Sequence, residues 1–182
     1  TVHTQTITVD DKTKPVFTVE PQNKIVECDG LGNLDGPEGF NAWLASNAGA
    51  SATDNCGAVT ISYLIEDTNT ICGGAGTIIV DFIAKDQCGN FTVKQAVYMI
   101  LDRTPPVVTP ASDLVIQCSI NGEDELNAWL SNNGGATATD SCGLITWKHN
   151  YQSSLAICGA PILVTFTATD SCGNFSTTQA TV

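Results

Sequence analysis

A mainly β chain, built as tandem β-sandwich repeats with one short helix inserted in each, is the fold class this sequence predicts. Three observations carry that prediction. First, three motifs recur in the same order: Phe40-Asn41-Ala42-Trp43-Leu44 returns as Leu126-Asn127-Ala128-Trp129-Leu130, Ala52-Thr53-Asp54-Asn55-Cys56-Gly57 as Ala138-Thr139-Asp140-Ser141-Cys142-Gly143, and the run 84–91 as 168–175. The offset stays between 84 and 91 residues, which is the signature of a repeat architecture. Second, apolar residues alternate at period two, as in Val80, Phe82 and Ala84, so one face of a strand lies on a core. Third, eight cysteines fall into two sets of four: Cys28, Cys56, Cys72, Cys88, then Cys118, Cys142, Cys158, Cys172.

In chain order, Thr6-Ile7-Thr8-Val9 matches Val97-Tyr98-Met99-Ile100, the run before the second repeat. Residues 1–10 are therefore expected to be the last strand of a preceding repeat. The first full repeat then covers 11–101, and the second covers 102–182 with its own last strand truncated. Each repeat opens on a similar joint, Asp11-Lys12-Thr13-Lys14-Pro15 and Asp102-Arg103-Thr104-Pro105-Pro106, where proline removes backbone freedom. Phe40, Trp43 and Leu44 stand at i, i+3 and i+4, as do Leu126, Trp129 and Leu130, which gives a helix with one apolar stripe. The segments 47–49 and 132–135 supply its stop signals. Val59, Ile61 and Tyr63, matched by Ile145, Trp147 and His149, predict a further strand facing the core. Several short strands between Gly, Asn and Asp clusters, with a Trp on a central strand, fit an immunoglobulin-like sandwich. Trp43 and Trp129 are then expected to plug an open side of it rather than to stack on sugars.

Charge narrows the function. With 19 Asp and Glu against 7 Lys and Arg, the chain carries a net charge of −12, which argues against a nucleic-acid or anionic-membrane partner because such binding needs clustered cations and leaves divalent cations as the natural charged ligand. No run of about 18 apolar residues appears, so nothing in the sequence predicts a membrane-spanning helix. Cysteines at repeating intervals in a Gly- and Thr-rich chain read as a disulfide framework in an oxidising, extracellular compartment. Zinc is the rival reading, but its ligands come in close pairs such as C-x-x-C, and no two cysteines here are that close.

Taken together, the Asp-x-Thr-x-Pro joint, the Asp-x-Cys-Gly turn after a short helix and the Ala-x-Asp-x-Cys-Gly-Asn turn resemble the HYR-like, immunoglobulin-like tandem repeats of large secreted surface adhesins of Bacteroidota, including the gliding-motility adhesins of flavobacteria. The resemblance covers essentially the whole chain. It implies a stalk on the bacterial cell surface, exported by the type IX route and serving adhesion or gliding motility.

The loops of an immunoglobulin-like sandwich predict where chemistry would collect. The chain comes in at one pole, and the B–C and F–G loops return to it. That places Asp11, Asp54 and Asp86 together in the first repeat, and Asp102, Asp140 and Asp170 in the second. Three carboxylates repel one another unless a cation sits among them, and Ca²⁺ accepts such oxygen-rich sets. Thr13, Asn90, Thr104 and Asn174 are the auxiliary ligands of this calcium expectation. The competing reading makes the same aspartates builders of Asx-turns. Four cysteines allow three connectivities per repeat. The pole geometry favours Cys56–Cys88 and Cys28–Cys72, then Cys142–Cys172 and Cys118–Cys158.

No catalytic set emerges, since His3 and His149 occupy unmatched positions and the best-placed carboxylates recur in both repeats as structural sites would. The chain is expected not to be an enzyme, with no cofactor other than Ca²⁺. Asn90-Phe91-Thr92 and Asn174-Phe175-Ser176 match the glycosylation sequon within repeat-forming turns. The expected partners are neighbouring repeats of the same chain, with a surface or polysaccharide ligand that the sequence does not specify. The alternative is a carbohydrate- or protein-binding accessory module of a secreted enzyme.

Overall fold

A computed structural model describes residues 2–30, 33–117, 122–152 and 160–182. The chain is mainly β. Its strands are β1 (Val16–Val19), β2 (Lys24–Glu27), β3 (Ser51–Thr53), β4 (Thr60–Cys72), β5 (Ala75–Lys85), β6 (Phe91–Leu101), β7 (Val107–Val108), β8 (Ala138–Thr139), β9 (Thr146–His149), β10 (Leu163–Thr169) and β11 (Phe175–Thr181). The helices are α1 (Phe40–Ala45) and α2 (Gly122–Ser131). Residues 2–10 carry neither helix nor strand.

The first repeat pairs β1 with β3 in one sheet and orders the other β2-β6-β5-β4; the second pairs β7 with β8 and orders its other sheet β11-β10-β9. The central hairpins are antiparallel and regular: Val80 faces Ala96 and Phe82 faces Lys94 in one, Val164 faces Ala180 and Phe166 faces Thr178 in the other. This is the immunoglobulin-like two-sheet arrangement that the strand pattern predicts.

Period-two alternation sets the core. Val80, Phe82 and Ala84 are fully buried, as are Val164, Phe166 and Ala168. Each helix lays its stripe over them. Trp43 meets the edge of Phe82 at a centroid distance of 5.4 Å and Trp129 meets Phe166 at 5.1 Å. Both indoles also satisfy their N–H on backbone, Trp43 Nε1 donating to the Gln22 carbonyl at 2.9 Å and Trp129 Nε1 to that of Ser112 at 2.8 Å. A buried indole needs such a partner, and this one ties the helix to the segment that follows the first strand of its repeat. After each helix the backbone turns left-handed at Asn47 and Ala48, and at Asn133 and Gly134, which ends it.

The outermost position of one strand departs from expectation in both repeats, His149 on the edge strand β9 being exposed like Tyr63. The alternation of Val59, Ile61 and Tyr63 puts Tyr63 on the core, yet it is 50 % exposed, because β4 forms the edge of its sheet and runs on to Cys72 beyond the reach of the core.

The chain divides into two compact units: 1–26, 33–69 and 76–100 form one, while 27–32, 70–75 and 101–182 form the other. The second unit thus includes two short segments that belong, in sequence, to the first repeat. Each of those segments carries a cysteine, and the disulfides follow from that. Cys28 bonds Cys142 with Cα atoms 6.2 Å apart, and Cys72 bonds Cys172 with Cα atoms 5.1 Å apart. The expected pairs Cys28–Cys72 and Cys142–Cys172 are therefore corrected: the partners are exchanged because the segments bearing Cys28 and Cys72 pack within the second unit. The expected Cys56–Cys88 bond is absent too, and both residues are exposed thiols. Cys118 and Cys158 lie outside the described residues.

Two glycines permit this close packing. A Cβ on Gly73, whose φ is +52°, would stand 2.8 Å from the Cys142 carbonyl oxygen, and one on Gly30 would collide with that of Ser141. Only a residue without a Cβ lets the two backbones approach so closely.

Candidate metal centre

The structure brings Asp11, Asp54 and Asp86 together in the first unit and Asp102, Asp140 and Asp170 in the second, each group with carboxylate oxygens within 4.8 Å of one another. Three separate stretches of chain contribute to each: the joint, the turn after β3 or β8, and the turn between the strands of the central hairpin.

One oxygen of every aspartate builds a turn. Asp11 Oδ1 accepts from the Thr13 N–H at 2.9 Å, Asp54 Oδ1 from Cys56 at 2.8 Å and Asp86 Oδ1 from Asn90 at 2.9 Å. The second unit repeats this with Thr104 on Asp102 at 3.2 Å, Cys142 on Asp140 at 2.7 Å, and both Cys172 and Asn174 on Asp170 at 2.8 and 2.9 Å. The Asx-turn reading therefore holds for these oxygens. The second oxygens tell a different story. Oδ2 of Asp11, Asp54 and Asp102 is buried with no hydrogen-bond partner. A desolvated, unpartnered carboxylate oxygen is costly, and a cation is the natural group to satisfy several at once. Among the described residues no basic side chain pairs with any of the six. In Asp11, Asp54 and Asp102 one oxygen thus closes a turn while the other stays unpartnered.

The asparagines are clamps. Asn90 Nδ2 donates to Asp86 Oδ2 at 2.7 Å and to the Asp11 carbonyl at 3.0 Å; Asn174 Nδ2 donates to Asp170 Oδ2 at 2.9 Å and to the Asp102 carbonyl at 3.2 Å. Each fixes the joint to the hairpin turn. A glycan on either sequon would displace these bonds. Of the threonines, Thr13 contributes its backbone N–H, and Thr104 Oγ1 donates to Glu27 Oε1 at 3.1 Å.

Electrostatics separates the two groups. Burial, together with the negative charges of Asp170, Asp140 and Glu27, raises the Asp102 carboxyl above its ordinary value of 3.8 despite the Thr104 bond. Burial also acts to raise Asp86, but the hydrogen bonds from Asn90, Gly89 and Cys88 outweigh it and hold that carboxyl below 3.8. Glu27 is the site residue that sequence reasoning missed. It accepts from the Arg103 N–H at 2.6 Å as well as from Thr104, and adds a fourth acid beside the second group. The only signal for it was its position next to Cys28.

Ca²⁺ takes six to eight oxygen ligands in flexible geometry, and an oxygen-only set with no His or Cys ligand fits it better than zinc. Neither helix tryptophan forms an exposed stacking platform, since Trp43 is 6 % exposed and Trp129 packs on the second core.

No protein-family model matches the chain, and no curated protein matches it. Among solved structures it is similar to Drosophila N-cadherin EC1-4, at 11 % identity and a TM-score of 0.38 over 94 % of this chain and 49 % of that one. It is also similar to mouse cadherin-23 EC22-24, at 12 % identity and a TM-score of 0.32 over 92 % and 65 % of the two chains. The chain spans about half the length of the Drosophila structure, and a likeness this distant carries no functional argument.

Proposed function

We propose that the chain comprises two non-catalytic structural repeats of an extracellular adhesin, and that each repeat binds one Ca²⁺ that stiffens the joint leading into it. The observation that carries this reading is the carboxylate triad with unpartnered buried oxygens, present in both units and built each time on the joint itself. An ion there would neutralise three mutually repelling carboxylates and lock the incoming chain to two loops of the sandwich, restricting the bending that a linker would otherwise allow. Disulfides support an oxidising, extracellular setting. The finer assignment, to a stalk on the bacterial surface exported by the type IX route and serving adhesion or gliding motility, rests on the joint and turn motifs quoted above.

Calorimetric titration and elemental analysis test the reading directly. Two Ca²⁺ per chain are expected, and D54N and D140N should each remove one. A chain that holds no calcium and melts identically with and without a chelator would sink it.

A further inference from the structure

Cys56 and Cys88 do not behave as their repeat equivalents do. Their counterparts, 86 and 84 residues on, are Cys142 and Cys172, which sit on the same Asx-turns but are bonded to Cys28 and Cys72. Cys142 is 2 % exposed, whereas Cys56 and Cys88 are exposed thiols. The difference has a visible source. The second unit contains the segments 27–32 and 70–75, taken from the repeat before it, and these bring its cysteines their partners. The first unit contains no such segments, yet it has the turns that would receive them.

We infer that Cys56 and Cys88 are a receiving site for a preceding repeat of the same type, each forming a disulfide with one of that repeat's cysteines: Cys56 with the residue in the register of Cys28, and Cys88 with the one in the register of Cys72. The occupant is defined by chemistry: two cysteine-bearing segments, with a glycine close after each cysteine so that the backbones can approach, as Gly30 and Gly73 do here. Every disulfide link in the array then joins one repeat to the next instead of closing a loop within a repeat. Forming each bond removes two thiol protons and two electrons, which pass to a disulfide oxidant such as oxidised glutathione and leave it as two thiols. The inference rests on the tandem-array reading but not on calcium.

The test places a copy of residues 11–101 in front of the chain in exchange for residues 1–10, refolds it in a glutathione redox buffer, and maps disulfides under non-reducing conditions. Cys56 should be joined to the copy's Cys28 and Cys88 to the copy's Cys72. Both should also lose the thiol labelling that they show in the original chain. Recovery of Cys56 bonded to Cys88, or of both as free thiols, would overturn the inference. So would the absence of Cys28–Cys142 and Cys72–Cys172 peptides from the original chain, since those bonds are its premise. A mapping that fails while two calcium ions still bind would leave the proposed function standing and remove only this link.

Discussion

Asp54-Asn55-Cys56-Gly57 and Asp140-Ser141-Cys142-Gly143 fold into the same turn, closed in both by the cysteine N–H on the aspartate Oδ1, yet one cysteine is an exposed thiol and the other a buried half-cystine. Cys88 and Cys172 differ likewise in bonding, Cys88 being an exposed thiol and Cys172 a half-buried half-cystine. Local sequence thus builds the pole, while what covers it is decided by segments far away in the chain. In the second unit those segments bring two sulfurs and the Glu27 carboxylate, which joins burial, Asp170 and Asp140 in raising the Asp102 carboxyl.

Removing the covering bonds should break this comparison most strongly. Under non-reducing denaturant unfolding, C28S/C142S should cost the second unit about 4–5 kcal/mol, because the bond closes a separation of 114 residues. C56S/C88S should leave the original chain within about 0.5 kcal/mol, as exposed unbonded side chains do. Next comes the core that the two repeats share. Trp43→Ala should cost about 3–5 kcal/mol, and Trp129→Ala less, because Trp129 is only half-buried; each also strands a backbone carbonyl, of Gln22 or Ser112. Calcium at a hundred times its dissociation constant should add about 2.7 kcal/mol per site, seen as a raised melting temperature that D11N or D102N abolishes for its own unit.

The smallest effect sharpens the contrast between the poles. The folded-state carboxyl of Asp102 lies above 3.8, so the fold favours its protonated form. Without calcium, its ionisation costs stability above the folded value, and that loss is recovered as pH falls through the folded value towards 3.8. Asp86 lies below 3.8, so the stability it contributes is fully present above 3.8 and is lost as pH falls through its folded value. Acid titration of the calcium-free chain, followed by the melting of each unit, should show these opposite slopes, with D102N flattening only the second. If both units lost stability alike in the range just above 3.8, Glu27 and the burial of Asp102 would not matter as described.

Much of this was legible in the residues. Val80, Phe82 and Ala84 announce a half-buried strand by alternation, and the stripe of Phe40, Trp43 and Leu44 announces the helix. Periodicity misplaces Tyr63 because it reports only which face of a strand a residue occupies. It does not report whether the strand lies in the middle of a sheet or, like β4, at its edge. The grouping of the six aspartates was readable from fold topology, but which of their oxygens are partnered was not, since that depends on which N–H lies within about 3 Å.

The sequence by itself determined the repeat, the central hairpins and the helices, and the residue types at each pole, because these depend on patterns spanning a few residues. Tertiary structure alone decided the disulfide partners. Sequence permits several pairings, and only the packing of residues 27–32 and 70–75 within the second unit brings Cys28 to Cys142 and Cys72 to Cys172 at bonding distance.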